Sequence, residues 1–291
     1  AKPKNVIIVG GSSGMGKAAA ISTVIRGGNA LIVSRSQSKL DNAAKEINFK
    51  AQQYWDDEGS SNDTVGGTNS VVSTSGARIG IVYTAVLDVT DEDAVQQFAR
   101  EQISFQQEQS RTWDALVFSA AGKAPHGPIT ELPTSQTQEL FQTKFWGAYH
   151  CAKHISPHLN PGGCIVFVGG VLNRRPGINC SPLASTNGAL EGLTRALALE
   201  LGPSLRVNCL SPGFCDTERF DHMDEERKRG MLENTADSLP LKRVGQPEDM
   251  GEAIYYLLSA KFVTGVVLDC DGGHHIRQYA NSASDPMRSK D

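Results

Sequence analysis

"VIIVGGSSGMGKAAA", residues 6–20, decides the fold. Four apolar residues run straight into a glycine turn, and the turn runs straight into an alanine-rich helix pattern. Strand, turn and helix in that order turn a weak glycine pattern into a strong one for a dinucleotide site. Glycine allows the tight turn and lets backbone N–H groups approach a pyrophosphate, while the helix N-terminus adds its partial positive charge. Gly10, Ser12, Ser13, Gly14, Met15 and Gly16 are therefore expected to cradle phosphate.

Outward from that turn, apolar runs alternate with helix-period segments along most of the 291 residues. Strands are expected over residues 5–10, 30–35, 82–89, 113–122, 164–170, 205–213 and 265–273. Strands apolar on both faces and separated by helices imply a parallel sheet covered on both sides. The expected fold class is α/β: one doubly wound, Rossmann-type parallel sheet, in a single domain over residues 1–276. Residues 59–76, "GSSNDTVGGTNSVVSTSG", interrupt the rhythm with Gly, Ser, Thr and Asn, and read as an inserted surface loop. Residues 277–291 read as a polar C-terminal extension.

Composition narrows the partners. Net charge is −4 from 28 basic and 32 acidic residues, so nothing points to nucleic acid. No apolar run approaches the roughly 20 residues of a membrane span. A strand begins almost at the first residue, which leaves no room for a signal peptide within this sequence. The six cysteines form no C-x-x-C pair and mostly sit in apolar patterns, as buried thiols do in a reducing compartment. A soluble, cytoplasmic protein is the expectation. His274 and His275 are neighbours that would point to opposite faces of an extended chain, so no metal site is expected.

The end of the second strand speaks to which dinucleotide is held. NAD-binding chains place a carboxylate there for the ribose 2′-OH. This chain has Ser34, Arg35 and Ser36 and no acid. A guanidinium can fork onto a 2′-phosphate, which a carboxylate would repel. NADP(H) is thus favoured over NAD(H), with Lys17 expected to add charge just past the turn.

These segments resemble the short-chain dehydrogenase/reductase family over nearly the whole chain. "GGSSGMG" is similar to its glycine motif, with Val9 where Thr is usual. "LDVTD" (87–91), "SAAG" (119–122), "SPG" with "DT" (211–213, 216–217), "PLKRVGQPEDMGEAIYYLLS" (240–259) and "VLDCDGG" (267–273) follow the family's order. The resemblance implies that Asp88 and Val89 border the adenine. It adds Ser119, Ala120, Ala121, Gly122, Pro212, Gly213 and Thr217 to the cofactor site. It also implies a homodimer or homotetramer, paired through helices around 134–159 and 183–201. The Leu190, Leu193, Leu197 and Leu201 stripe on the second helix reads first as intradomain core.

The family's chemistry uses an Asn, a Ser, a Tyr and a Lys, the last two in a Y-x-x-x-K run one helical turn apart. The Lys charge draws the Tyr pKa down, and the Tyr exchanges a proton with the substrate oxygen. Carried over position by position, the Tyr falls on Leu183, the Lys on Asn187, the Ser on Gly170 and the Asn on Lys144. None of the four matches, so no catalytic residue is assigned. Among substitutes, Ser185 should point away from Leu183, whereas Cys180, Ser181 and His126 lie in loops that can reach the cleft. Lys144, with Arg174 and Arg175, would make the cleft cationic and suit an anionic small molecule. The functional expectation is an NADP(H)-binding protein with a binding or sensing role. The alternatives are an atypical NADPH-dependent oxidoreductase and a non-redox enzyme on the same scaffold.

Overall fold

The computed structural model describes residues 4–60, 79–103 and 112–276. Seven parallel strands form one sheet: β1 (Val6–Val9), β2 (Ala30–Ser34), β3 (Val82–Val86), β4 (Trp113–Phe118), β5 (Leu159–Val168), β6 (Leu205–Pro212) and β7 (Val267–Cys270). Their spatial order is β3-β2-β1-β4-β5-β6-β7. Eight α-helices accompany them among the described residues: α1 (Gly14–Val24), α2 (Gln37–Ser60), α3 (Glu92–Phe98), α4 (Thr134–Phe141), α5 (Gly147–Ile155), α6 (Ser181–Glu200), α7 (Glu225–Ser238) and α8 (Pro247–Ser259). All seven expected strands are present.

Alternation along the strands builds two cores. Ile7, Val9, Leu31, Val33, Leu116, Phe118, Ile165 and Phe167 face one side. There they meet Val95 and Phe98 of α3, Cys151 and Ile155 of α5, and Leu190 of α6. Val6, Ile8, Ala30, Ile32, Ala115, Val117, Cys164 and Val166 face the other. That side is covered by Ala19 and Val24 of α1, Leu40 and Ile47 of α2, and Ile254 and Leu257 of α8. The leucine stripe of α6 lies in or against the first core, as an intradomain stripe should.

Most strands end earlier than the apolar runs suggest. Residues 87–89 and 119–122 leave the ladder and bend over the C-terminal edge of the sheet. Gly59 and Ser60 belong to the end of α2 rather than to a loop. The rest of the 59–76 insertion and the 277–291 extension lie outside the described residues. His274 and His275 sit in a short 3-10 turn, His274–Ile276, not in extended chain. The strand order reverses between β1 and β4, which opens a crevice at that edge.

Candidate cofactor and ligand cleft

A cleft of about 840 Å³ occupies this crevice. Its walls come from the residues following β1, β2, β3, β4, β5 and β6. At the turn after β1, Gly10 has φ +83°, and a Cβ there would lie 2.6 Å from the Ala120 backbone nitrogen. A Cβ on Gly16 would lie 2.3 Å from the Gly10 carbonyl oxygen. Both positions accept only glycine, and the close approach packs the turn tightly at the cleft wall. Every residue that the sequence assigns to the dinucleotide lines the cleft except Gly16, which is packed inside the turn, and Lys17. Lys39, which the sequence reading missed, lines it beside Arg35, one turn into α2. Both cations are exposed. Asp88 accepts from the Thr90 N–H at 3.0 Å and its hydroxyl at 2.8 Å. These bonds, the backbone one foremost, hold its carboxyl below the usual range, with a smaller pull from Arg35.

The expected charge from Lys17 does not reach this wall. Its ammonium is 2.7 Å from Glu46 and 2.6 Å from Glu218. Burial lowers the Lys17 pKa, and the two carboxylates more than reverse that. Glu218 also accepts the Gly14 N–H at 2.8 Å, so a carboxylate already sits on the first turn of α1.

At the inner end, the positions that the resemblance assigns to chemistry come together. Lys144 sits in a widened π turn, Gln142–Trp146, between α4 and α5. Such turns insert a residue and re-aim side chains, often at functional sites. Its Nζ donates to the Gly169 carbonyl at 2.9 Å and to Asn187 Oδ1 at 2.6 Å. Burial pushes the Lys144 pKa down to about 8; Cys209 opposes this and Arg219 adds to it. The two positions that the resemblance sets on separate helices, Lys144 and Asn187, therefore meet directly. Gly170 has φ +153°, and a Cβ there would lie 2.8 Å from Asn187 Nδ2. The backbone and the Asn187 amide together fill the space a serine would need. Leu183 lines the cleft as an apolar wall.

The other candidates divide. His126 and Cys180 both line the cleft, with Nδ1 and Sγ 3.7 Å apart. Nδ1 is also 3.0 Å from the Asn179 carbonyl, which places a proton on that nitrogen. Burial raises the Cys180 pKa, with Arg219 opposing, so the thiol stays protonated at neutral pH. Ser181 and Ser185 are exposed and do not line the cleft. Arg174 and Arg175 do not line it either, which corrects the expectation that they charge it. Arg174 turns to β6, β7 and α6 instead, to Asp269, to Ser211 Oγ at 2.8 Å and to Glu191 at 3.4 Å. Arg219 lines the cleft instead. Sequence alone offered no signal for this, because Arg219 lies on a short turn, Glu218–Phe220, with no periodic pattern.

Asp269, Asp271 and His275 place ligand-type atoms close together. Asp271 accepts from the backbone N–H groups of Gly273 and His275 and pairs with His275 Nδ1 at 2.8 Å. Asp269 pairs with Arg174. These bonds tie the end of β7 to the loop after β5.

A doubly wound parallel sheet with a glycine turn at its switch point defines a dinucleotide-binding α/β protein. Residues 62–275 match the family model described as enoyl-(acyl carrier protein) reductase. The chain is 27% identical to an uncharacterized oxidoreductase, YmfI, of Bacillus subtilis (strain 168), over 94% of this chain and 99% of that one. A crystal structure of a small-chain dehydrogenase in complex with NADPH superimposes with a TM-score of 0.67. It shares 28% identity and the match covers 94% of this chain and 99% of that one. The MalC reductase/Diels-Alderase of Malbranchea aurantiaca superimposes with a TM-score of 0.76 at 25% identity, over 94% and 97% of the two chains. The chain belongs to the short-chain dehydrogenase/reductase family. No helix among its described residues is long and apolar enough to cross a membrane.

Proposed function

We propose that this protein binds NADP(H) in the cleft and does not perform tyrosine-dependent alcohol–ketone interconversion. In this reading the bound cofactor supports recognition of a small molecule at the inner end. One observation carries it: the residues assigned to the dinucleotide line one continuous cleft, while Lys144, Gly170, Leu183 and Asn187 at its inner end bring no hydroxyl. The residues fit a dinucleotide. A Cβ at Gly10 or Gly16 would collide with the protein's own backbone, so glycine keeps the turn in the tight form that supports reading it as a phosphate turn. The nicotinamide dinucleotide, when bound, supplies a hydride donor or acceptor. Gly14 and Met15 at the start of α1 would meet its phosphates. Arg35 and Lys39 would meet a 2′-phosphate, and no acid stands at the end of β2 to repel it. The NADPH complex of a structural neighbour supports that preference.

Positioned acid–base groups supply about 10²–10⁴ in rate. An apolar Leu183 forfeits that contribution for ordinary carbonyls. A second reading, hydride transfer with a different proton donor, is favoured by the buried Lys144 ammonium beside the cleft. The Malbranchea protein's paired designation, reductase and Diels-Alderase, supports the idea that this scaffold accommodates other chemistry.

NADPH and NADH titrations read by thermal shift and nicotinamide fluorescence test the proposal. A ligand that binds only the folded state adds about 2.7 kcal/mol at a hundredfold excess over Kd. NADPH should bind more tightly than NADH, without steady oxidation by a panel of simple ketones and aldehydes. Absence of binding, or steady turnover across that panel, would sink it.

A further inference from the structure

We infer that the inner end of the cleft is a receptor for an anionic ring compound, a carboxylate or an enolate, held by Lys144 and Arg219 against Phe214 and Phe220. This rests on the reading of the cleft as a joint cofactor and ligand site.

The charge balance is the first argument. Among the described residues that line the cleft the only carboxylate is Asp88, at the expected adenine end, and it is committed to Thr90; Glu218, beside the start of α1, is paired with Lys17. Lys144, Arg219, His126 and His274 all line the cleft. Lys144 is only 5% exposed, and its hydrogen-bond acceptors, Gly169 O and Asn187 Oδ1, are both neutral. An ammonium has three donors, so one remains. A buried cation without a carboxylate is costly, and a bound anion relieves that cost. Arg219 forms no ion pair among the described residues, and its charge acts on Lys144 and on Cys180 alike. Two cations that disfavour each other across a cleft are stabilised by one anion between them.

The apolar walls give the shape. Phe214 and Phe220 stack with ring centroids 5.2 Å apart and planes 12° from parallel. Both line the cleft, as do Leu172 and Leu183. A flat, apolar body carrying one oxyanion matches this arrangement. The phosphate turn after β1 is a different wall from the one that bears Lys144, which hangs from the α4–α5 junction and bonds the end of β5.

The probe is 8-anilinonaphthalene-1-sulfonate, an aromatic anion, against its uncharged parent N-phenyl-1-naphthylamine. Each is titrated by fluorescence into protein saturated with non-fluorescent NADP⁺. The anion should bind at least about tenfold more tightly than the parent. Lys144→Met and Arg219→Gln should each weaken the anion about tenfold, leaving the parent within about twofold. NADP⁺ affinity should stay unchanged in both. Anion affinity should also fall as pH rises past about 8, where Lys144 loses its charge. The other titratable or charged groups are Cys180, Arg219, His126 and His274, which line this space, and the buried Cys209, which acts on Lys144, so the pH profile is compared with that of Lys144→Met. Equal losses for anion and parent would overturn the inference, and so would an anion unaffected by either change. A Lys144→Met protein that loses NADP⁺ instead of the anion would assign the cation to the cofactor, and overturn it too. Arg219 is exposed, so its variant keeps the test open if Lys144→Met fails to fold. If wild type does not bind NADP⁺, the cofactor reading fails, and the same titration on free protein still decides this one.

Discussion

Glu218 occupies the place where a cofactor phosphate is expected, and removing its charge should tighten NADPH binding. Its Oε2 accepts the Gly14 N–H at 2.8 Å, and its Oε1 lies 2.6 Å from Lys17 Nζ. Desolvation raises its pKa, but the bonds from Lys17, from its own backbone N–H and from Gly14 hold it below the usual carboxylate range. The start of α1 therefore already carries an anion, which a pyrophosphate must displace. Glu218→Gln keeps the shape and an acceptor but removes the charge. A hydrogen bond to a charged group contributes about 1.5–3 kcal/mol and a neutral one about 0.5–1.5, so the substitution frees roughly 1 kcal/mol. The side chain is 40% exposed, and solvent screening keeps the figure at the low end of that difference. At about 1.4 kcal/mol per factor of ten, NADPH should bind roughly fivefold more tightly. The assay is a fluorescence titration of wild type and variant at low and at moderate salt. The gain should shrink with salt, because charge is the cause. A variant that binds NADPH equally well or more weakly would refute the reasoning, and would mean that Glu218 shapes the turn without competing for it.

Three further outcomes follow from the geometry. Arg35→Ser should cost NADPH about tenfold in affinity and leave NADH nearly unchanged, because only the 2′-phosphate loses its guanidinium; parallel titrations check this. Gly10→Ala should destabilise the fold by about 2 kcal/mol or more in urea denaturation, since the new methyl meets the Ala120 backbone at 2.6 Å in a left-handed conformation. Stability should rise with pH between about 8 and 10.5 on account of Lys144. In that window the unfolded chain holds a proton that the folded one has released, and below about 8 the full penalty of the buried charge is present. The rise amounts to roughly 3 kcal/mol, and denaturation of Lys144→Met across the same pH range should lack it.

The layers of this fold are legible along the chain because they are local. Ile7 and Val9 on one face of β1, Val6 and Ile8 on the other, already say that the strand is covered twice. The glycine turn is legible for the same reason, since three small residues within seven positions define it. Strand ends were less legible. Leu87 and Val89 are as apolar and β-prone as strand residues, but Asp88 between them hydrogen-bonds to Thr90 at the cleft instead of continuing the ladder. Arg174 illustrates a second failure. Position in the chain put it beside the cleft, but it pairs with Asp269, 95 residues away, and does not line the cleft.

Periodicity and turn chemistry act over a few residues, so sequence alone determined the doubly wound sheet and the glycine turn after β1, and put Leu183 where the resemblance leads one to expect a tyrosine. Only the tertiary structure decided what replaces it. Lys144 and Asn187 meet across 43 positions, Glu218 reaches Gly14 across 204, and Arg219 enters the cleft from a turn with no pattern of its own. Where a charged side chain ends up depends on which distant partner desolvates or neutralises it, and that becomes fixed only when the layers pack.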